Sequence, residues 1–171
     1  MKKIESLIRN IADFPKKGIQ FKDITPLLKD PEAVRETVAA FIEGLDGKKI
    51  DKVVGIEARG FFFGMLLAEK LNAGFVPIRK PGKLPYKTYS ENYELEYGVN
   101  SLEIHQDAIS LGEQVLVHDD VLATGGTAKA ACNLIEKMGG TIVQCNFLME
   151  LEFLKGAEKL DKYPIHSIIK Y

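Results

Sequence analysis

This sequence of 171 residues has few cysteines, little net charge and no long apolar run. These absences argue against a cysteine-based metal or redox site, nucleic-acid binding and insertion into a membrane. The sequence has only two cysteines, Cys132 and Cys145, and their separation matches neither a metal-binding nor a redox motif. The formal net charge of −1 provides no global basic field, so we expect no nucleic-acid partner. No apolar run approaches the roughly 18 residues of a membrane span, and no apolar signal core follows the basic N-terminus. We therefore expect a cytoplasmic protein with no membrane partner.

The sequence also lacks the glycine-rich motifs of the common nucleotide-binding folds. It contains no G-x-G-x-x-G motif of the dinucleotide-binding kind. The stretch Gly55–Gly60 comes nearest to a P-loop, but Phe61 stands where the phosphate-binding lysine of that motif belongs. Internal repeats, low-complexity tracts and composition shifts are absent as well. With 46% hydrophobic residues, the chain can bury a core, and we expect one domain over residues 1–171.

One stretch, residues 115–128 (VLVHDDVLATGGTA), combines the features of a sugar-phosphate site. Its apolar start leads through His118 to Asp119 and Asp120, whose carboxylates can accept hydrogen bonds from two neighbouring sugar hydroxyls. The turn over 123–127 follows, and an amphipathic helical pattern begins directly after it. Glycines allow backbone N–H groups to face an anion, and the helix N-terminus adds unpaired donors. This order predicts a site for a ribose 5-phosphate.

Strand and helix patterns alternate along the chain. Four apolar stretches are predicted as strands: 52–58, 75–78, 115–117 and 142–151. Helical patterns between them predict an α/β fold with a doubly wound, mostly parallel sheet flanked by helices. Near the N-terminus, the spacing of Ile4, Leu7, Ile8 and Ile11 predicts an amphipathic helix. The segment 13–28, which is punctuated by proline and glycine, is predicted to be irregular.

Charged side chains follow two of the predicted strands. Arg59 lies just beyond the first, and ligands of open α/β sheets bind at the carboxyl ends of strands. Arg59 could therefore bind an anion, although a surface salt bridge with Glu57 is the simpler alternative. Arg79, Lys80 and Lys83 follow the second strand, and a long polar stretch comes after them. Such a stretch is typical of a lid or a solvated loop, and a β-hairpin also fits it.

The segment 115–128 resembles a motif of a known protein family. VLVHDDVLATGGTA resembles the 5-phosphoribosyl 1-pyrophosphate (PRPP) signature of type I phosphoribosyltransferases, although His118 stands where an aliphatic residue is more usual. The resemblance implies that Asp119 and Asp120 hold the ribose hydroxyls. EARGF, residues 57–61, resembles the family's pyrophosphate loop and implies that Arg59 binds pyrophosphate. The residues implied to bind the 5-phosphate are Ala123, Thr124, Gly125, Gly126 and Thr127.

Two further segments resemble adenine phosphoribosyltransferases in particular. FPKKGIQFKDITPLL is similar to their base-binding segment, which implies that Gln20, Phe21 and Lys22 hold the base, with Lys22 where arginine is common. RKPGKLP and the later LEYG resemble their catalytic loop. The resemblance implies a flexible lid over about residues 81–98, in which Glu96 and Tyr97 face the base and Glu96 acts with Arg59 in catalysis. The residues implied to bind pyrophosphate with Arg59 are Arg79, Lys80 and Lys83.

The resemblance implies a salvage reaction in which adenine and PRPP give AMP and pyrophosphate. It also implies Mg²⁺ as cofactor, held mainly by substrate with no dedicated protein ligands, and a homodimer. A small hood would be formed by about residues 1–30 and the chain end. Two alternatives remain: transfer to hypoxanthine, guanine or xanthine, and a PRPP-sensing regulator that binds nucleic acid. The second would need a basic face, for which the net charge gives no support.

Overall fold

The computed structural model describes residues 2–94 and 99–171, so the predicted roles of Glu96 and Tyr97 fall outside it. The helices are α1 (Lys2–Ser6), α2 (Thr25–Leu28), α3 (Pro31–Glu43), α4 (Gly60–Lys70) and α5 (Gly126–Lys137). The strands are β1 (Arg9–Ala12), β2 (Gln20–Asp23), β3 (Lys52–Ile56), β4 (Gly74–Ile78), β5 (Thr88–Glu94), β6 (Val99–His105), β7 (Gln114–Leu122), β8 (Thr141–Glu150) and β9 (Ile165–Lys170). Two 3-10 helices, Glu152–Leu154 and Gly156–Leu160, lie between β8 and β9.

The chain divides into two compact units, Met1–Ala40 and Phe41–Tyr171. In the first unit the predicted N-terminal helix is wrong beyond its first turns, because α1 ends at Ser6 and Ile11 lies in β1. There Ile11 pairs with Phe21 of the antiparallel neighbour β2. The segment 13–28 was predicted to be irregular but contains β2 and α2. Local periodicity misses β2 because backbone pairing with β1 makes it a strand, and it misses α2 because a helix of four residues is too short to show a period.

The second unit is built on a five-stranded parallel sheet with the order β4-β3-β7-β8-β9. Helix α5 packs on one face of this sheet in a buried apolar cluster that includes Val54, Val117 and Ile135. On the other face, Phe63 of α4 contacts the ring of His118 of β7. Helices on both faces explain why the strands are almost wholly apolar. The predicted fold class is confirmed.

Strand β7 is longer than its sequence pattern indicated. The prediction ended this strand at Val117, whereas β7 runs through both acids to Leu122. Parallel pairing with β8 continues this far, since Asp119 pairs with Phe147 and Val121 with Met149. Backbone pairing does not depend on side-chain polarity, so a run of apolar residues underestimates the strand. The two acids therefore stand on a rigid element.

The hairpin that fitted the polar stretch is present as β5 and β6, paired from Thr88 and His105 onward. It is joined to α5, where the Asn133 side-chain amide donates to Glu91 at 2.9 Å. Ile104 of β6 is buried in the core cluster. The part of the predicted lid that lies in β5 is therefore a regular strand, while the flexibility of the lid stays a prediction.

The two cysteines meet in the core. Cys132 was predicted to be a buried structural thiol on α5, and it is fully buried. Cys145 of β8 is its neighbour, with the two Sγ atoms 3.6 Å apart and both thiols free. The spacing in sequence gave no sign of this pairing. No helix within residues 2–94 and 99–171 combines the length and the apolar character needed to span a membrane.

Candidate active site

The candidate site lies where the connections of the central sheet diverge. The chain leaves β3 towards β4 on one side, and it leaves β7 towards β8 and β9 on the other. Between the carboxyl ends of two such neighbouring strands an open α/β sheet forms a crevice for ligands. The EARGF segment follows β3, and the acid pair stands near the end of β7. The topology thus brings together two motifs that are about 60 residues apart in sequence.

A glycine permits this approach. Gly60, the first residue of α4, packs against β7, and a Cβ there would lie 2.8 Å from the carbonyl oxygen of His118 and 3.1 Å from Oδ1 of Asp119. Both distances are shorter than an ordinary van der Waals contact, and the carbonyl is backbone that cannot rotate away. Gly60 therefore lets the N-terminus of α4 start beside the acid pair, where the positive end of the helix dipole increases the local positive potential.

Asp119 and the glycine turn line one cavity of about 60 Å³. This cavity opens above the first turn of α5, so a group bound in it can reach both a carboxylate and the N–H donors of the helix N-terminus. The hydroxyl-bearing Thr124 and Thr127 are partly exposed there. The lining residues are Asp119, Val121, Leu122, Ala123, Thr124, Gly125, Thr127 and Ala128.

The turn depends on the conformation of Gly125. This residue caps the N-terminus of α5 with φ +77°, a left-handed conformation that favours glycine, and no side chain caps the helix at this end. The free N–H groups of the first turn therefore remain available for an anion. Behind the turn lies the 3-10 residue Gly156, whose carbonyl oxygen a Cβ on Gly125 would overlap. Sequence inspection had not identified Gly156.

Asp120 forms an ion pair with Arg59. Nε of Arg59 lies 2.8 Å from Oδ2 of Asp120, whose side chain is almost fully buried. The alternative interpretation, in which Arg59 pairs with Glu57 at the surface, is wrong as to the partner. Arg59 instead connects the EARGF segment to the acid pair. Its guanidinium is partly exposed and can also face a bound anion.

Asp119 and Asp120 have different neighbours, but burial raises the pKa of both carboxyl groups. Burial raises the pKa of Asp119 well above its usual value, and the neighbouring carboxylate of Asp120 raises it further. Burial also raises the pKa of Asp120, although the Arg59 guanidinium opposes that shift. Oδ1 of Asp119 accepts a hydrogen bond from the backbone N–H of Asp120 at 2.9 Å. Donors such as sugar hydroxyls would lessen the repulsion between these carboxylates.

Glu57 organises the basic loop that follows β4. Its carboxylate accepts two hydrogen bonds from Arg79, from Nε to Oε2 and from Nη2 to Oε1, each 3.2 Å. It also accepts from the backbone N–H of Lys80 at 2.9 Å. This fork geometry is the strong form of a carboxylate–guanidinium contact. Arg79 is thus engaged by Glu57, whereas Lys80 and Lys83 are exposed. Glu57 is a second residue whose role sequence inspection had missed.

His118 lies beneath the acid pair in a dry environment. Its Nδ1 is 2.7 Å from Oδ1 of Asn146 on β8, and because a carbonyl oxygen only accepts, the proton lies on Nδ1. The ring meets Phe41 edge-on at 5.1 Å. Burial lowers the pKa of His118 to about 4, although its hydrogen bond to Asn146 acts the other way. His118 is therefore a neutral packing residue at physiological pH.

The predicted base-binding residues lie on β2 of the first unit. Gln20 is exposed, and Phe21 is half-buried with its ring edge-on to Phe14 at 5.1 Å. Lys22 is also half-buried, and burial lowers its pKa. β2 pairs with β1 through its backbone, which fixes the alternation of these three side chains. Their assignment to the base stays a prediction.

Within residues 2–94 and 99–171, no three His, Cys, Asp or Glu side chains are grouped closely enough to hold a metal ion. The acid pair supplies two carboxylates, and one of them is already neutralised by Arg59. Such a pair fits a hydrated divalent cation whose main ligands are substrate oxygens, since Mg²⁺ commonly keeps several waters and binds few protein ligands.

Comparisons with known proteins agree with this architecture. Residues 24–169 match the family model described as the phosphoribosyl transferase domain. An adenine phosphoribosyltransferase from Christiangramia forsetii is 69% identical over 98% of both chains. The crystal structure of the adenine phosphoribosyltransferase from Thermoanaerobacter pseudethanolicus superposes with a TM-score of 0.97, at 54% identity over 99% of both chains.

A yeast structure adds a bound complex to the comparison. The adenine phosphoribosyltransferase of Saccharomyces cerevisiae, complexed with adenine and an imino-altritol bisphosphate, matches with a TM-score of 0.92 and 40% identity, covering 97% of this chain and 96% of that one. The family model spans most of the sequence, and the relatives are similar along nearly their whole length. The chain therefore belongs to the phosphoribosyl transferase domain family and, within it, to the adenine phosphoribosyltransferases.

Proposed function

We propose that this protein transfers the phosphoribosyl group of PRPP to adenine, giving AMP and pyrophosphate in purine salvage. The observation that carries the proposal is the cavity shared by Asp119 and the glycine turn, because a ribose 5-phosphate has hydroxyls and a phosphate to fill both ends of it. The family membership supports the same reaction, and the yeast relative was solved with adenine and a sugar-like bisphosphate.

The 5-phosphate would bind in the turn over residues 123–127, against the free N–H groups at the start of α5 and the hydroxyls of Thr124 and Thr127. Asp119 and Asp120 would each accept a hydrogen bond from a ribose hydroxyl. As the pyrophosphate leaves, the ribose ring becomes cationic, and the two fixed carboxylates would stabilise that charge. Their rigid placement on β7 supports this role, since positioning provides much of the rate in such a transfer.

Pyrophosphate would leave on the side of α4, where Arg59 stands beside Asp120. Lys80 and Lys83 would bind its outer oxygens, and Arg79 would contribute through the loop that it fixes with Glu57. Mg²⁺, held mainly by substrate oxygens, would neutralise negative charge on the leaving group. Removing divalent cations with a chelator should abolish turnover, and adding Mg²⁺ should restore it.

The base would be held by Gln20, Phe21 and Lys22, with Phe21 stacking on the purine. We assign to Glu96 the proton that adenine loses from nitrogen 9, and we place Tyr97 beside the base in a lid over about residues 81–98 that excludes water. Glu96→Gln should lower kcat far more than it changes the KM for adenine, because a glutamine keeps the shape but cannot take the proton. A change confined to adenine affinity would contradict this assignment.

The deciding experiment is incubation with PRPP, Mg²⁺ and a panel of labelled bases: adenine, hypoxanthine, guanine and xanthine. We expect AMP and pyrophosphate from adenine alone. If a nucleotide forms from another base instead, that base and not adenine is the substrate. If no base is converted while PRPP still binds, the chain would be a PRPP sensor instead of an enzyme.

We also propose a homodimer that forms through α4. Three large apolar side chains of this helix are exposed, namely Phe62, Met65 and Leu66. Their spacing places them on one face, and a contiguous apolar face of this kind favours a protein interface over solvent. Since α4 starts directly after Arg59, a partner on this face would lie near the pyrophosphate side of the site. The free buried thiols suit the reducing cytoplasm, where we place the protein.

A further inference from the structure

The turn that would hold the 5-phosphate touches a second backbone segment that no part of the proposed reaction includes. Gly156 opens the 3-10 helix Gly156–Leu160 and is buried. A Cβ built on it would overlap the carbonyl oxygen of Ala123 and lie 2.9 Å from the backbone nitrogen of Gly125. In the opposite direction, a Cβ on Gly125 would overlap the carbonyl oxygen of Gly156. Two glycines about 30 residues apart in sequence are thus in direct backbone contact.

Both sides of this contact are firmly held. The 3-10 helix is anchored in the core by Leu160, which is fully buried. On the other side, the N–H of Lys129 donates to the carbonyl oxygen of Gly125 at 2.9 Å, and the N–H of Leu151 donates to that of Leu122 at 2.9 Å. The contacting atoms are backbone, so neither side can give way through a rotamer change.

The backbone conformation at Lys155 also supports a fixed contact between Gly156 and the turn over 123–127. Lys155 has φ +53°, a left-handed conformation that a non-glycine residue rarely adopts, and it turns the chain between the two 3-10 helices. This turn presents the backbone of Gly156 to the phosphate turn, with no side chain between them. Strained positions of this kind are kept when the surrounding structure holds them in place, and they occur often at functional sites.

We infer that Gly156 is a positioning residue for 5-phosphate recognition. By filling the space behind the turn, its backbone fixes the carbonyl of Ala123 and the nitrogen of Gly125, so that the N–H groups of the turn point into the cavity. A phosphate binds more tightly when those N–H donors are already in place, because ordering them on binding would cost free energy. The inference rests on the proposed function, since it assumes that the cavity receives a 5-phosphate.

The test compares two ligands that differ only in the phosphate. Titration calorimetry with AMP and with adenosine gives an affinity ratio that reports the phosphate site alone. In Gly156→Ala the turn must move by on the order of 1 Å, and a displacement of that size can cost about 10²-fold in a preorganised site. We expect AMP affinity to fall by about 10- to 100-fold while adenosine affinity stays within about twofold. The KM for PRPP should rise more than kcat falls.

The matched control is Gly140→Ala. A Cβ at Gly140 would lie 2.8 Å from Cγ2 of Ile135 and 2.9 Å from Cγ2 of Ile109, so it disturbs the core at the far end of α5 without touching the turn. This variant should lose thermal stability yet keep the AMP to adenosine ratio of the unaltered protein. If both variants reduced the ratio equally, the effect would be one of general stability, and the inference would be overturned.

Four further outcomes are possible. A folded Gly156→Ala protein with unchanged AMP affinity overturns the inference, and so does an equal loss of AMP and adenosine affinity. If the unaltered protein shows no preference for AMP over adenosine, the proposed function itself fails. Should Gly156→Ala not fold, amide hydrogen exchange on the unaltered protein decides. AMP must then slow exchange over residues 155–160 more than adenosine does, and equal exchange with the two ligands overturns the inference.

Discussion

The buried imidazole of His118 should make the folding stability of this protein depend on pH below 6.5. Burial lowers the pKa of His118 from its usual 6.5 to about 4 in the folded protein. The unfolded chain therefore binds a proton at mildly acid pH that the folded chain does not. The stabilising effect of a neutral His118 is complete above pH 6.5 and is lost progressively as the pH falls towards 4. From these two pKa values, the free energy of unfolding should decrease by about 2 kcal/mol between pH 7 and pH 5.

Replacing His118 with leucine isolates this effect. His118→Leu keeps similar volume against Phe41 and Phe63 but removes the titrating group. It also leaves Oδ1 of Asn146 without its partner, which should cost about 1–3 kcal/mol at every pH. The measurement is urea unfolding of both proteins at pH 7, 6 and 5. Subtracting one curve from the other cancels the carboxylates common to both, including Asp119 and Asp120.

The difference in free energy of unfolding between the two proteins should change by about 2 kcal/mol from pH 7 to pH 5, because the unaltered protein loses more stability in acid. Val117→Ala serves as control, because it removes buried apolar volume from the adjacent residue and no titrating group. Its difference from the unaltered protein should be constant from pH 7 to pH 5. A constant difference for His118→Leu as well would mean that the imidazole takes up its proton at the same pH in the folded and the unfolded chain, and the reasoning from burial would be refuted.

The remaining predictions concern the acids, the basic loop and the interface. Asp119→Asn should lower kcat by about 10²-fold, because it removes a carboxylate that would stabilise the cationic ribose. The same change should raise Tm at pH 7, because the raised pKa of Asp119 marks an unfavourable buried charge, and a lower Tm would contradict this. Glu57→Gln should raise the KM for PRPP about tenfold through loss of the double contact with Arg79, and steady-state kinetics that match the unaltered protein would remove Glu57 from the loop's support. Met65→Glu should yield a monomer in sedimentation experiments, whereas Glu43→Lys, at an exposed position of α3, should leave the assembly intact.

Much of the candidate site could be proposed from the sequence because its residues lie close together along the chain. Asp119, Asp120 and the turn over 123–127 are contiguous in sequence, and each part requires a residue type that can be recognised without a structure. Backbone donors need glycine, hydroxyl recognition needs an acceptor, and a helix start supplies N–H groups. The alternation of strands and helices was readable for the same reason, since amphipathic periods arise within single elements.

Predictions failed where the deciding partner belonged to another element of the fold. Ile11 fits a helical spacing, but pairing with Phe21 places it in a strand. The strand of the acid pair was predicted too short, because its pairing with β8 continues beyond the apolar run. The alternative interpretation of Glu57, a surface salt bridge with Arg59, is wrong because Arg79, at the end of the neighbouring strand, engages Glu57 instead. In each case a backbone or charge interaction across the sheet outweighed the local pattern.

The sequence by itself determined which groups the candidate site offers: two carboxylates, a glycine turn with threonines, and a series of basic residues after strands. The tertiary structure decided their partners. It paired Arg59 with Asp120, joined Arg79 to Glu57, and placed Gly156 against the turn over 123–127. The physical reason is that residue type fixes what a group can bind, whereas strand order fixes what it meets. His118 is the clearest example, because its burial keeps it neutral in mild acid, against the opposing effect of its hydrogen bond to Asn146.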